Sequence, residues 1–201
     1  MILTDYTQGS PEWLTARLGV ITGTKLKGVF KTNNLPLIDE LIAEQMTELT
    51  EETRMSDAML WGIEQEPRAM KEYLKIKKYK MADVGFCIHD EYSWLALSPD
   101  GFTEDFKGGT EIKCPTSKVH VEYCRTNKIP AKYKYQCHNY FHVNEKLEWL
   151  DFVSYDPRNK VRKINIVRIT REEIQDELDA EMVEMLKFTE KWFNYYSKIV
   201  F

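Results

Sequence analysis

Two carboxylates and a lysine stand at a spacing that a strand and a turn can bring together. Asp100 lies in Ser98-Pro99-Asp100-Gly101, and Glu111 and Lys113 lie in Thr110-Glu111-Ile112-Lys113-Cys114. Side chains alternate across a strand, so Glu111 and Lys113 share one face while Ile112 points from the other into the core. A turn at Gly108-Gly109 can fold this strand back beside the one ending at Asp100, which gathers the three polar groups. Hard oxygen donors suit Mg2+, with Mn2+ as a substitute, and the ligands are then Asp100, Glu111 and the backbone carbonyl of Ile112. In phosphodiester hydrolysis such an ion stabilises phosphate charge and acidifies a bound water, which Lys113 can orient or deprotonate. The D-x10-E-x-K pattern alone is only moderately specific, because an exposed salt bridge beside a turn looks the same. Its setting favours a site: Pro99 fixes the approach to Asp100, and Thr110, Ile112 and Cys114 make the following strand β-like.

The elements that must hold these groups follow from periodicity and turn residues. Residues before about 80 read as helical, with a start at Pro11-Glu12-Trp13 and a Thr22-led segment carrying Leu26, Val29 and Phe30 on one face. A helix opened by Pro36 turns Leu37, Leu41, Met46 and Leu49 inward, and another from about Ser56 carries Trp61, Glu66, Met70, Tyr73 and Leu74. Short β-compatible runs follow at residues 84–89 and 94–97, separated by Asp90-Glu91, and Asp105-Phe106-Lys107-Gly108-Gly109 reads as a turn. After the Glu111 strand come helical stretches near 117–126 and 131–143, then strands at 147–155 and 161–169 around Asp156-Pro157-Arg158-Asn159. A last helix from about Thr170 to Lys198 sets Ile174, Leu178, Met182, Met185, Trp192 and Ile199 along one stripe, where they would cover the sheet. The expected class is α/β, a mixed central β-sheet flanked by helices, organised as one domain over residues 1–201.

Bulk properties narrow the setting. No run nears the length of a membrane span and the N-terminus lacks the plan of a secretory signal, so a cytoplasmic location without membrane contact is expected. Cys87, Cys114, Cys124 and Cys137 form no CxxC pair, which indicates neither a disulfide framework nor a zinc ribbon. The net charge of -4 argues at first against a nucleic-acid partner. It conceals an asymmetry: residues 107–134 hold seven bases against Glu111 and Glu122, whereas residues 171–190 hold eight acids against Arg171 and Lys187. The basic stripe either guides DNA or is a solvated face. His138 and His142, four apart, permit a zinc pair, but the residues between them lack the glutamate of HExxH, so packing or solvent exposure is the reading. Cys114 is read as core. Tyr133, Tyr135, Tyr140 and Phe141 suit base stacking or burial against the sheet.

Several segments together resemble the lambda exonuclease family of viral recombination nucleases, within the PD-(D/E)xK restriction-endonuclease-like superfamily. They are Trp13 with Arg17-Leu18-Gly19-Val20-Ile21-Thr22, Trp61-Gly62 with Glu66, Ser98-Pro99-Asp100-Gly101, Glu111-Ile112-Lys113-Cys114-Pro115, Tyr135-Gln136 and Tyr155-Asp156-Pro157-Arg158. The resemblance implies a Mg2+-dependent exonuclease that degrades one strand of linear double-stranded DNA from its 5′ end. It would release mononucleotides and leave a 3′ single-stranded tail. It also implies a ring-shaped homotrimer at DNA ends and a single-strand annealing protein as partner. By the same resemblance Asp100 and Glu111 hold metal, Lys113 serves the attacking water, and Glu66 and Gln136 stand beside the centre. Arg17, with Thr24 and Ser98, would meet the 5′ phosphate. Taken alone, Glu66 on its charged helix reads as a solvated carboxylate, and Glu64 is a near competitor that the Trp-Gly-x-x-x-Glu spacing excludes. Arg17 could equally pair with Glu12 on a surface. The competing functions are an endonuclease of the same superfamily, of restriction or junction-cleaving type, and a non-catalytic DNA-binding subunit.

Overall fold

The computed structural model describes residues 1–49 and 56–201. In chain order these form β1 (Ile2–Thr4), α1 (Pro11–Ala16), α2 (Gly23–Val29), α3 (Leu35–Thr47) and α4 (Asp57–Lys77). The strands β2 (Met81–Ala82), β3 (Phe86–Ile88), β4 (Ala96–Leu97), β5 (Gly101–Thr103) and β6 (Gly108–Lys113) follow. After them come α5 (Ser117–Thr126), a 3-10 turn (Ala131–Tyr133), α6 (Lys134–Val143), β7 (Trp149–Tyr155), β8 (Ile164–Thr170) and α7 (Arg171–Val200). Local chemistry sets the helix starts. Ser10 accepts from the Trp13 amide with Pro11 beginning α1, Ser56 caps α4 through Met59, and Thr170 and Glu173 form a reciprocal capping box at α7.

The main sheet runs in the order β2-β5-β6-β7-β8, and a small antiparallel sheet has the order β1-β3-β4. Only the β6/β7 pair of the main sheet is parallel, so the chain must cross over between them, and α5 and α6 form that crossover. One face of the sheet packs on α4, where Ile112, Val153 and Tyr155 meet Ala69 and Tyr73. On the other face Phe152 lies against Tyr123 and Tyr133, and the larger core continues through α2, α3, α6 and α7. The expected α/β fold, a mixed sheet flanked by helices, is therefore present.

A buried charge cluster ties α4 to the sheet. Asp151 of β7, fully buried, accepts from Tyr73 at 2.8 Å and from Arg168 of β8 through Nε at 2.7 Å and Nη2 at 2.8 Å. Arg168 also lies over the Trp149 ring, 3.7 Å from its centroid. A carboxylate so enclosed is tolerable only because every face of it meets a donor.

Several local expectations need correction. Gly108 and Gly109 belong to β6, not to the turn, which lies before them and places Phe106 at a left-handed φ of 58°. Close packing explains both glycines: a Cβ on Gly108 would lie 2.0 Å from the Trp149 ring, and one on Gly109 would lie 2.8 Å from Leu150 and 3.1 Å from Tyr140. The antiparallel partner of β6 is β5, which begins just after Asp100, whereas β4 joins the other sheet. Met46 and Leu49 are exposed because α3 buries the face of Leu37, Ile38, Leu41 and Ile42. Ile199 is exposed as well, and α7 packs on α6, α2 and α3 in addition to β8. β1 and β2 add strands that are too short to show a period in the sequence.

Replacing Gly108 by alanine should destabilise the chain by about 1–3 kcal/mol, since a buried ring must move to admit the methyl group. Urea unfolding of Gly108→Ala against wild type measures this. An unchanged midpoint would mean that Trp149 yields freely.

Candidate active site

Asp100 stands between the two sheets, and three hydrogen bonds fix it there. Its amide donates to the Tyr140 hydroxyl at 2.9 Å, and that hydroxyl donates to the Thr110 carbonyl at 3.0 Å. Its Oδ2 accepts from the Ile112 amide at 2.6 Å. The amide and carbonyl of one strand residue point to the same edge, so the Ile112 carbonyl also faces the Asp100 side and not β7. Glu111, buried, is paired with Lys113 on the same face of β6. The Lys113 ammonium lies 5.4 Å from the centre of the Tyr133 ring.

Glu66 approaches from α4 and is half-buried, whereas Glu64 is exposed and pairs with Arg68 at 3.7 Å. The Trp-Gly-x-x-x-Glu spacing thus selects the glutamate that faces the cluster. Burial, then the neighbouring Glu111 charge, raises the Asp100 pKa well above the ordinary aspartate value, with Lys113 opposing. Burial also raises Glu66, and the Lys113 charge works against it. Burial by itself would weaken the Lys113 ammonium, but Glu111 and Asp100 outweigh it and raise its pKa. The site therefore holds three carboxyl groups against one ammonium. Excess negative potential and oxygen donors from Asp100, Glu111 and the Ile112 carbonyl fit a hard divalent cation.

Arg17 does not pair with Glu12. Its Nη1 donates to Ser98 Oγ at 2.7 Å and its guanidinium stacks on Trp13, 4.3 Å from the ring centre. Burial lowers its pKa. Ser98 is two residues from Asp100, so this cation is tethered close to the carboxylates. Thr24, exposed in the first turn of α2, has its hydroxyl 3.3 Å from that of Thr22. Gly23 before it packs against Gln136 of α6, where a Cβ would lie 3.2 Å from the Gln136 side chain. Arg158 reaches the Pro115 carbonyl at 3.1 Å, pairs with buried Asp156 at 2.7 Å and stacks on Trp61 at 4.5 Å. Segments far apart in sequence, those of Trp61, Pro115 and Arg158, are joined by this one side chain.

Tyr140 is the positioning residue that sequence reasoning missed. It was one of several aromatics suited to stacking or burial, and nothing in its spacing distinguishes a hydroxyl that bridges two strands. His138 and His142 are buried, as the packing reading expected, but both face Glu181 of α7. Cys114 is only partly buried, packed beside Ile112 on the α4 side.

The YqaJ-like viral recombinase domain matches residues 12–146 of the sequence. The chain belongs to that family. The match spans Arg17, Glu66, Asp100, Glu111, Lys113 and Gln136, and it bears out the resemblance to the lambda exonuclease family. No curated protein matches the sequence. Among solved structures, the alkaline exonuclease LHK-Exo from Laribacter hongkongensis is similar at 28% identity, with 95% of this chain and 98% of that one covered and a TM-score of 0.81. A second structure of LHK-Exo, in complex with dAMP, is similar to the same degree. A phage-related exonuclease from Haemophilus somnus 129PT shares the fold at 13% identity, with coverage of 90% and 95% and a TM-score of 0.59.

The raised Asp100 pKa has a defined consequence for stability. The folded chain holds this proton to a higher pH than the unfolded chain, so stability falls as pH climbs from the ordinary carboxylate value through the raised one. With chelator present, Asp100→Asn should melt above wild type at neutral pH, and the difference should close as pH approaches 4, near the ordinary aspartate pKa. Thermal melts from pH 4 to 8 check it. A variant less stable than wild type at pH 7 would mean that the charge is not held at a cost.

Proposed function

We propose that the chain is a Mg2+-dependent 5′-to-3′ exonuclease that degrades one strand of linear double-stranded DNA, releases mononucleotides and leaves a 3′ single-stranded tail for recombination. Residues 1–201 act as one exonuclease domain. The observation that carries the reading is the tether from Arg17 through Ser98 to Asp100, because it couples a cation suited to a terminal phosphate to a cluster suited to phosphodiester hydrolysis. The similarity to an alkaline exonuclease supports it, and so does the dAMP held by that relative, since dAMP is a mononucleotide.

Asp100, Glu111 and the Ile112 carbonyl would hold Mg2+, for which Mn2+ can substitute. The ion supplies stabilisation of phosphate charge and a water of lowered pKa. Lys113, kept cationic by its carboxylate neighbours, orients that water and donates to a phosphate oxygen. Glu66 supports the cluster from α4, and Gln136 positions the nucleotide from α6. Arg17, with the hydroxyls of Ser98 and Thr24, binds the terminal 5′ phosphate through paired charge-assisted hydrogen bonds.

The duplex approaches along α5 and its link to α6. Lys118, Arg125, Lys128 and Lys132 are exposed there, while Lys107 and Lys134 of the same stripe pair with Glu148 and Glu177. Lys132 stacks on Tyr133 at 4.7 Å, on the ring that also faces Lys113. This continues the basic track into the site. The assembly consistent with the family resemblance is a homotrimeric ring around DNA ends, working with a single-strand annealing protein in the host cytoplasm. Among the described residues no helix is long and apolar enough to cross a membrane.

Purified protein with Mg2+ should degrade linear duplex and spare a closed circle, and chelator should stop it. Asp100→Ala should abolish hydrolysis with folding intact, and Lys113→Ala should cut the rate by roughly 100-fold or more with little change in metal affinity. Turnover in folded Asp100→Ala, or cleavage of the circle, would reject the assignment.

The end sensor is tested separately with enzyme in excess. Wild type should consume 5′-phosphoryl ends faster than 5′-hydroxyl ends, and Arg17→Ala should slow the first by about tenfold or more while sparing the second. A mutant that keeps the full wild-type preference would move the phosphate site elsewhere.

A further inference from the structure

The face of α6 turned away from Asp100 carries a second cluster. Tyr140 and Cys137 point toward the sheet, and one residue advances a helix by about 100°, so His138 and His142 fall together on another side, against α7. Both imidazoles are buried. His138 Nδ1 lies 3.0 Å from each oxygen of Glu181, and His142 Nε2 lies 3.1 Å from Oε2. Glu177, one turn before Glu181, brings a second carboxylate, and the donor atoms of His138, Glu177 and Glu181 all lie within 4.8 Å of one another. Lys134 occupies the same spot as a cation, paired with Glu177 and 3.7 Å from Glu181. A histidine pair spaced i, i+4 on α6 thus faces a glutamate pair spaced i, i+4 on α7, and side chains on facing helices are where bundles build metal sites.

We propose that His138 Nδ1, Glu177 and Glu181 form a binding site for a transition-metal dication, Zn2+ foremost, separate from the Asp100 and Glu111 centre. Mixed imidazole and carboxylate donors select Zn2+ over Mg2+. Bonds of about 2.1 Å place tetrahedral donors roughly 3.4 Å apart. His138 Nδ1 and the Glu181 oxygens, 3.0 Å apart, need only spread slightly. The Glu177 carboxylate, on an exposed side chain and within 4.8 Å of both, closes onto the ion by a side-chain rotation. Glu181 already stands as a ligand would, with its carboxylate turned onto both imidazoles. His142 remains outside the coordination sphere and fixes the orientation of Glu181 through Nε2. Water fills the fourth position on the Glu177 side, where that side chain is 52% exposed. Zn2+ displaces Lys134, which is the local competitor. The carboxylate comes from another helix, not from between the two histidines where HExxH would put it.

The test titrates chelator-treated full-length chain with Zn2+ by calorimetry and with Co2+ by visible absorption. In the double variant Asp100→Ala, Glu111→Ala, whose nuclease centre no longer competes for these ions, one Zn2+ should bind per chain, and Co2+ should give the bands of a low-coordinate nitrogen and oxygen site that Zn2+ then bleaches. Uptake by that variant separates this site from the proposed nuclease centre. Glu177→Gln, at a half-exposed position that leaves the core untouched, should weaken binding by roughly tenfold or more. Lys134→Ala should tighten it several-fold, as no purely structural network would. Failure of the double variant to take up Zn2+, or an affinity left unchanged when Glu177→Gln or Lys134→Ala is added to it, overturns the proposal.

Discussion

Crowding two carboxylates against one lysine at the end of a strand is costly, and much of the architecture exists to enforce it. Asp100 would retreat into solvent if its peptide were free. The Tyr140 hydroxyl prevents this by taking the Asp100 amide and giving its own proton to Thr110, while Ile112 takes the side chain. Glu111 has no retreat either, because β6 lies between β5 and β7 and its face is closed by α6. Lys113 is the counter-charge that makes the arrangement tolerable. Such a site has a high affinity for positive charge before any substrate arrives.

The helices gain their meaning from this centre. α4 carries Glu66 to it and is anchored below by Tyr73 on Asp151. α6 carries Tyr140 on one face and the histidine pair on another, so a single ten-residue helix connects the sheet to α7. The chain before α2 contributes Arg17, and its position is set by the short bridge between Ile21 and Leu95, which aligns that segment with the run into Ser98.

Much of this was legible in the sequence because it depends on local rules. Alternation along β6 separates Glu111 and Lys113 from Ile112, Thr170 with Glu173 marks the last helix, and α5 spans the residues its pattern gives. The groups of the resemblance, from Trp13 to Arg158, meet in space through Arg17 and Arg158. What escaped was decided by distant neighbours. Gly108-Gly109 reads as a turn until Trp149 and Tyr140 are seen against it, Met46 and Leu49 fit a helical stripe whose ends have nothing to cover, and Glu181 lies 39 residues beyond the histidine it contacts. Tyr140 looks like any buried aromatic, because a hydroxyl's partner leaves no mark on spacing.

The Asp151 cluster has a further effect, on how the chain finds its pairing. Asp151 stands opposite Arg168 across β7 and β8, and opposite Thr110 across β6 and β7. A slip of one residue in the β7/β8 hairpin would turn Asp151 to the other face and strand a carboxylate without donors. Mispaired hairpins are thereby penalised more heavily than an apolar residue at this position would penalise them. The same charge that pins α4 acts as a proofreading mark for the pairing of β7 with β8.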